Sequence, residues 1–399
     1  MARKISVSGV GCCLVDRIYD HIDFTSDAFQ RMTSRTAGDG GLEPGKLQFE
    51  EEVERFAGQR FADVLPTLTN GRNPDKENIG GPCIVALIHA AQLLGTSARV
   101  AFYGCRGDDE VGDHLAAALA RTPVDMTYYC IVKNQETAST VVLSDPEYDG
   151  GHGERTFVNT IGASWHYLPS EIDESFYEAD ICVFGGTAIV PRIHEGLDTM
   201  LRKAKDHGAL TVVNTVYDSL NERRAPGRRW PLGSSDESYA LTDLLIVDCE
   251  EALRLSGYPD IPGAIDFFMR QGTKAVLVTN GARDVYLCAK SSIFAELPLT
   301  TLPVSEAVTR RVKQGEKGDS TGCGDNFAGG AIASLCWQLS QGRDFLDLRE
   351  ACRWGIVSGG FACFYYGGTY FEKESGEKLQ QLQPLYTQYL EQTAERFTM

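Results

Sequence analysis

Nothing in this chain approaches the roughly 20 consecutive apolar residues of a membrane-spanning helix. Its start, MARKISVSGVGCCLVD, lacks the apolar core and cleavage site of a signal peptide, and a cytoplasmic location is expected. Positive charge is scarce too: 38 Lys and Arg stand against 55 Asp and Glu, a formal charge of -17. That balance argues against nucleic acid or an anionic membrane as a partner through bulk electrostatics. Any site that handles phosphate must build its positive potential locally. The 12 cysteines include no C-x-x-C and the 7 histidines no H-x-x-x-H, so the ligand spacing of a structural zinc is missing. Most cysteines sit in apolar runs such as Asp180 to Phe184 and read as small, reduced hydrophobes. No repeat, low-complexity block or linker divides the 399 residues, which are expected to form a single domain with a substantial core.

What the chain does have is a glycine- and hydroxyl-rich stretch that turns helical. Gly315 to Leu335 reads G-E-K-G-D-S-T-G-C-G-D-N-F-A-G-G-A-I-A-S-L, with Phe327, Ala328, Ala331, Ile332 and Leu335 at helical spacing. A loop is therefore expected to feed a helix N-terminus. Backbone N–H groups there lack helical partners and lie at the positive end of the helix dipole, so an anion is favoured. Gly322 and Gly324 keep Cβ atoms out of the approach. A carboxylate at Asp325 would repel a phosphate unless it has a proton to remove, and the combination points to phosphoryl transfer. The plainer reading is a helix start capped by Ser320 or Asp319.

From Asp319 to Gly330 the string D-S-T-G-C-G-D-N-F-A-G-G closely resembles the C-terminal signature D-T-x-G-A-G-D-x-F-x-G of the ribokinase-like, or PfkB, family of carbohydrate kinases. The resemblance implies that Gly322, Cys323 and Gly324 cradle developing charge while Asp325 deprotonates the acceptor hydroxyl. It also puts Asp319 and the Thr321 carbonyl where the family holds a monovalent cation, so K+ activation is a further expectation. Cys323 replaces the usual alanine. A thiol at a helix N-terminus can be acidic and oxidisable, and a small tolerated side chain is the simpler reading.

Ile5 to Val15 reads as a first buried strand ending at Asp16. Ligands bind at the carboxyl ends of strands in open α/β sheets, and an Asp here holds sugar hydroxyls in the resembled family; a turn cap is the structural alternative. His21 to Asn78 is polar and glycine-punctuated, with one helix expected from Phe49 to Leu65, and is either an elaborated lid or an oligomer contact. Gly80 to Leu94 reads as a glycine turn, Pro82 in a first helical turn and an apolar helix; a strand, the turn G-C-R-G-D-D and a second helix follow to Leu119. These pieces resemble the family's N-terminal signature, with Gly80 and Gly81 beside the substrate. Val85 replaces a common substrate-binding Asn, so the pocket is expected to differ from that of ribokinase. Met126 to Ser144 alternates in β fashion, and Asp149 to Ser164 resembles the family's G-E-R-x-F lid hairpin, which excludes water as a competing acceptor. Arg155 is a candidate contact to substrate or phosphate, or else half of a surface ion pair.

From Ile172 onward short apolar strands alternate with helices, which calls for β-α-β crossovers and a mostly parallel sheet; Ser219 to Tyr239 reads as a surface loop. Asp248-Cys249-Glu250-Glu251 resembles the family's N-x-x-E, with Asp248 in place of Asn, and implies Mg2+ near Glu251. Oxygen donors suit that ion, although acids in a first helical turn are also ordinary. Thr279 to Asp284 resembles T-x-G-x-x-G, which lies along the nucleotide, so Thr279, Gly281 and Asp248 are nucleotide-side candidates and Asp284 is a departure. Leu348 to Tyr366 reads as an apolar helix with small residues, beside the adenine in the family.

The resemblance spans nearly the whole chain except about 22–78 and 219–239. It implies an α/β protein, a ribokinase-like three-layer α/β/α sandwich with a mostly parallel central sheet and a small β-sheet lid built from about 17–79 and 126–162. The implied reaction moves the γ-phosphoryl of Mg-ATP to a hydroxyl of a sugar or sugar derivative, with Asp16 orienting the acceptor. A nucleoside kinase of the same fold is the alternative, which Val85 permits. A non-catalytic ligand sensor on the same scaffold is suggested by the changes at 85, 248 and 284 and opposed by the intact Asp325. A homodimer through the lid is a further expectation.

Overall fold

Segments such as Asp180 to Phe184 and Ala275 to Thr279 are apolar at nearly every position, so both faces must be covered, which a parallel sheet between helices achieves. In the computed structural model, which describes residues 4–396 apart from 37, 152 and 317, they do form such a sheet. The strands are β1 (Ile5–Gly11), β2 (Leu14–Tyr19), β3 (Leu47–Phe49), β4 (Lys76–Gly80), β5 (Ala98–Gly107), β6 (Asp125–Val132), β7 (Ser139–Asp145), β8 (Glu154–Thr160), β9 (Ile181–Gly185), β10 (Leu210–Asn214), β11 (Leu244–Asp248), β12 (Ala275–Thr279), β13 (Val285–Ala289) and β14 (Leu297–Leu302). The central sheet runs β14-β13-β12-β11-β10-β9-β1-β5-β6, parallel throughout except for the antiparallel edge strands β13 and β14. Val7, Val183, Val212, Ile246 and Leu277 pack on a layer that includes the helices Pro82–Leu94, Cys323–Ser340 and Leu348–Ala362. Val10, Phe184, Val213, Val247 and Val278 pack on the opposite layer, with the helices Leu197–Asp206 and Ile261–Gln271. Three α/β/α layers result. Strand order reverses between β5 and β9 on the two sides of β1, and such a switch point opens a crevice at the strands' carboxyl ends.

A second sheet, β3-β8-β7-β2-β4, covers that crevice. Its two faces do different work. Tyr19, Val141, Leu143 and Val158 on the outer face share a small core with Phe29, Met32, Val53, Phe61 and Val64 from the helices of the 27–69 insertion. Pairing registers put Asp16, Thr140, Asn159 and Phe49 side by side on the inner face.

Four sequence expectations shift here. β1 ends at Gly11, not at Asp16, and Asp16 lies inside lid strand β2. The crossing residues Cys12 and Cys13 are both buried, so the chain passes between sheets with no polar turn to mark it. β6, expected in the lid from Met126, instead pairs parallel with β5 at the edge of the central sheet. The helix expected from Phe49 to Leu65 is two helices, Glu50–Ala57 and Phe61–Thr69, divided at Gly58 in the left-handed conformation. Ser219 to Tyr239 is no simple surface loop: it forms the helices Ser219–Arg224 and Glu237–Ala240 and buries Trp230, whose Nε1 donates to Glu222 at 2.8 Å. Among the described residues no helix is long and apolar enough to cross a membrane.

Candidate active site

The helix Cys323–Ser340 begins with Gly322 at φ +72°, a left-handed value in which a side chain would be strained; a Cβ there would also lie 2.5 Å from Gly368 Cα. The first helical bond runs from Asn326 N to Gly322 O at 2.8 Å. The amides of Cys323, Gly324 and Asp325 therefore precede the helical ladder, and the Cys323 amide makes only a 3.4 Å contact with Ser320 O. Neither Ser320 nor Asp319 caps this helix. Asp319 Oδ1 accepts from Thr321 N at 2.9 Å and Gly367 N at 3.2 Å, so its carboxylate clasps the loop to the segment beyond helix Leu348–Ala362. Cys323 Sγ lies 3.6 Å from Cys363 Sγ, and that hydrogen bond is the main reason the Cys323 thiol is pushed up and the Cys363 thiol brought down to about 7.

Three carboxyl groups share one field around this helix start. Burial raises Asp325 to about 7. Burial, followed by the charges of Asp325 and Asp319, raises Asp16 to about 7 against the opposing Arg155. Glu251 is raised to about 8 by burial, then by Asp248 and Asp325. The Asp325 charge thus raises a lid carboxyl, Asp16, and a body carboxyl, Glu251, alike. Gly80, on the strand paired with β2, makes room for Asp16: a Cβ there would lie 2.2 Å from Asp16 Oδ2. Gly81 is the N-cap of helix Pro82–Leu94. Val85, three residues on from Pro82, is buried against Gly368.

Lid and helix start are joined by Arg155. Its guanidinium donates to Thr321 Oγ1 and Ser320 Oγ, both at 2.5 Å, while lying over the Phe157 ring at 5.8 Å. Among the described residues its partners are these hydroxyls and no carboxylate within ion-pair distance. Of its neighbours on the same face, the sequence offered the Thr140 hydroxyl, and Asn159 went unnoticed. Thr140 and Asn159 are 5% and 2% exposed, Asn159 Nδ2 donates to Thr140 Oγ1 at 2.9 Å, and Asn159 Oδ1 has no partner among the described residues. The available signal was weak, polar residues alternating with Val141 and Val158; only the strand register aligns them with Asp16. A cavity of about 510 Å³ at the seam between lid and body is lined by Phe49, Glu52, Glu136, Trp165 and Arg223 among others. Asp16 and Asp325 are not among its lining residues, so the carboxyl pair faces a different part of the cleft.

The nucleotide-side candidates lie on β11, β12 and the turn that follows. Asp248 and Thr279 are paired at the carboxyl ends of β11 and β12. Asp248 Oδ1 accepts from Glu251 N at 2.8 Å and Glu251 Oε2 accepts in return from Asp248 N at 3.0 Å, a reciprocal cap for helix Cys249–Ser256. Thr215 Oγ1 also donates to Glu251 Oε2, at 2.5 Å. Asn214, at the end of β10 and unnoticed in the sequence, keeps a buried Oδ1 without a partner among the described residues. Gly281 lies in the turn between β12 and β13 with open space where a Cβ would be. A cavity of about 470 Å³ nearby is lined by Asp284, Pro303, Val304, Glu306 and Arg310. Among the described residues no group of three or more His, Cys, Asp or Glu is placed to hold a metal ion by side chains alone.

A sequence model described as pfkB family carbohydrate kinase matches residues 77–374. The aminoimidazole riboside kinase of Salmonella typhimurium is 23% identical over 298 residues, covering 70% of this chain and 83% of that one. Among solved structures, the adenosine kinase of Sinorhizobium meliloti superposes with a TM-score of 0.68 at 20% identity, covering 95% of this chain and 99% of its own. A chain described as a ribokinase II of E. coli in complex with ATP and Mg2+ gives 0.64 at 19% identity, over 96% of this chain and 99% of its own. The fold is that of the ribokinase-like kinases, and with three quarters of its length matched, this chain belongs to the pfkB family of carbohydrate kinases.

Proposed function

We propose that this kinase transfers the γ-phosphoryl of ATP to a hydroxyl of a sugar or sugar derivative, with Asp325 as the general base. The observation that carries this reading is the placement of one half-buried carboxyl, raised to about 7, at a helix N-terminus with amides ahead of the helical ladder and within the field of Asp16 on the lid. A base that titrates near neutrality removes a proton as bond formation proceeds and releases it afterwards. Asp16 and Asn159 hold the acceptor's hydroxyls on the lid's inner face, Asn159 through the oxygen that has no partner among the described residues. The Gly322, Cys323 and Gly324 amides meet the charge on the transferring group. Arg155 keeps water out by tying the lid to that loop.

ATP lies along Thr279 and Gly281. For Mg2+ the available donors are the Glu251 and Asp248 carboxylates and the orphaned Asn214 Oδ1, a hard-oxygen set that fits an ion reaching protein through one or two carboxylates. Bound there, Mg2+ neutralises triphosphate charge. Asp319 and the Thr321 carbonyl are the proposed K+ site, and the lid is the proposed dimer surface. A nucleoside acceptor is the second reading. It is favoured by two aromatic rings, Phe49 and Phe157, on the face that carries Asp16 and Asn159, and by the riboside kinase relative.

The deciding experiment measures ATP consumption with Mg2+, with and without K+, over sugars, sugar acids and nucleosides, with Asp325→Asn in parallel. Turnover of one acceptor that the variant loses by 10²-fold or more, the scale of a lost general base, supports the reading and names the acceptor. Wild type and variant equally inert, with a panel ligand still raising the melting temperature, would put a ligand sensor in its place.

A further inference from the structure

We propose that Lys378, in the C-terminal helix Glu377–Arg396, is a positioning residue for phosphoryl transfer, acting through Asn326 on the backbone of Gly322 at the start of the catalytic helix. The proposal rests on the kinase reading above. Lys378 lies outside residues 77–374, the span shared with the family model.

Lys378 is 1% exposed, and an isolated ammonium in such a place costs several kcal/mol unless it is hydrogen-bonded or paired. Its Nζ donates to Asn326 Oδ1 at 3.0 Å and lies 5.6 and 5.7 Å from the Tyr365 and Tyr370 ring centroids. Two further groups converge on the same oxygen: His89 Nδ1 at 2.7 Å and the Tyr365 hydroxyl at 3.0 Å. Burial, followed by the charge of Lys378, lowers His89 well below its ordinary value, so its ring is neutral and Nδ1 carries the proton that Oδ1 receives. Three donors on one amide oxygen leave the Asn326 side chain a single orientation. Its Nδ2 then donates to Gly322 O at 2.8 Å and to Gly368 O at 2.9 Å.

Both carbonyls matter to the site. Gly322 is the first of the three residues whose amides meet phosphate, and Gly368 follows Gly367, whose N–H binds Asp319. One buried amide therefore fastens the catalytic loop to the segment that clasps it from behind, and a charged donor polarises that amide more than a neutral one does. The effect is on geometry and not on the base, because burial alone accounts for the raised carboxyl of Asp325. The groups facing Nζ are His89 from helix Pro82–Leu94, Asn326 from the catalytic helix, and Tyr365, Tyr370 and Glu372 from the segment before the C-terminal helix. Burial brings the Lys378 ammonium down to about 7 against the opposing charge of Glu372. Loss of its proton above neutrality should slacken the network.

The test compares wild type with Lys378→Met and Lys378→Gln. Catalysis is sensitive to displacements of about 1 Å, which can cost on the order of 10²-fold, so kcat should fall about 10- to 100-fold while both KM values change less than about threefold. The wild-type kcat should decline on the alkaline side of neutrality and the variants should lose that limb. The melting temperature should not fall in proportion, because a costly buried charge is also removed. Unchanged kcat per folded enzyme, or an unchanged alkaline limb, overturns the proposal. If wild type turns over no acceptor, the kinase reading fails, and amide exchange decides the positioning separately: peptides over 318–326 should exchange at least about tenfold faster in both variants, and equal rates overturn it.

Discussion

Replacing Asp325 by Asn should make this protein a poorer enzyme and a more stable fold at once. The Asp325 carboxyl is raised by burial from 3.8 to about 7, and each unit is worth about 1.4 kcal/mol of preference for the protonated form. The ionised group therefore costs the folded state up to about 4 kcal/mol, and roughly 2 kcal/mol after discounting for its partial exposure to solvent. The sign follows from which state holds the proton more tightly. Here the folded state does, so the penalty is absent below about pH 4, grows as pH rises towards 7, and is full above it. Asn carries no such penalty. At about 2 cal/mol/K of unfolding entropy per residue, its Tm should exceed wild type by roughly 2 °C at pH 8, a gap that closes by about pH 4. On the acid side kcat of wild type should rise with pH up to about 7, and the variant should lose both that rising limb and 10²- to 10⁴-fold of kcat. Asp16 is held up in part by Asp325, so the pH dependence of acceptor KM should shift towards acid in the variant. Differential scanning calorimetry at a series of pH values, beside steady-state kinetics, reads all three. Equal Tm values at pH 8 would show that Asp325 is not buried as a costly charge, and retained kcat would show that it is not the base.

Arg155→Met removes two charge-assisted hydrogen bonds from lid to loop, so acceptor KM should rise about tenfold and limited proteolysis of the lid should quicken; unchanged cleavage would mean that the bridge does not hold the lid. Cys323→Ala keeps the backbone amide that the site uses, and kcat should stay within about threefold; a loss beyond 10²-fold would give the thiol a role of its own. Trp230→Ala should cost about 3–5 kcal/mol in denaturant unfolding, because the ring is 1% exposed and its Nε1 donates to Glu222; an unchanged unfolding midpoint would refute that.

The helix Cys323–Ser340 was legible because three kinds of signal coincide within a short stretch: glycine at the turn, helical spacing after it and a carboxylate between. Asp16 was legible as a residue and not as a position. The apolar run from Ile5 to Val15 continues through two buried cysteines, so nothing in it marks the step from one sheet to the other. β6 lies in the chain beside the lid strands, and only its parallel pairing with β5 assigns it to the central sheet. Trp230 lay among Arg, Pro and Gly, whose surface character hides one large buried ring. Lys378 gave no sign at all, since a lysine in a polar helix is ordinarily a solvated one.

Local chemistry therefore determined from the sequence whatever depends on neighbours in the chain: the helix N-terminus and its anion-seeking amides, the alternation of strand and helix that requires a mostly parallel sheet, and Asp325 beside its glycines. Tertiary structure decided whatever depends on residues far apart. Strand register set Asp16, Thr140 and Asn159 in one row, lid closure brought Arg155 to Ser320 and Thr321, and packing of the last helix carried Lys378 to Asn326. The reason is physical: burial and electric fields act through space, and a carboxyl or ammonium acquires its shifted proton affinity only once the fold has removed its water.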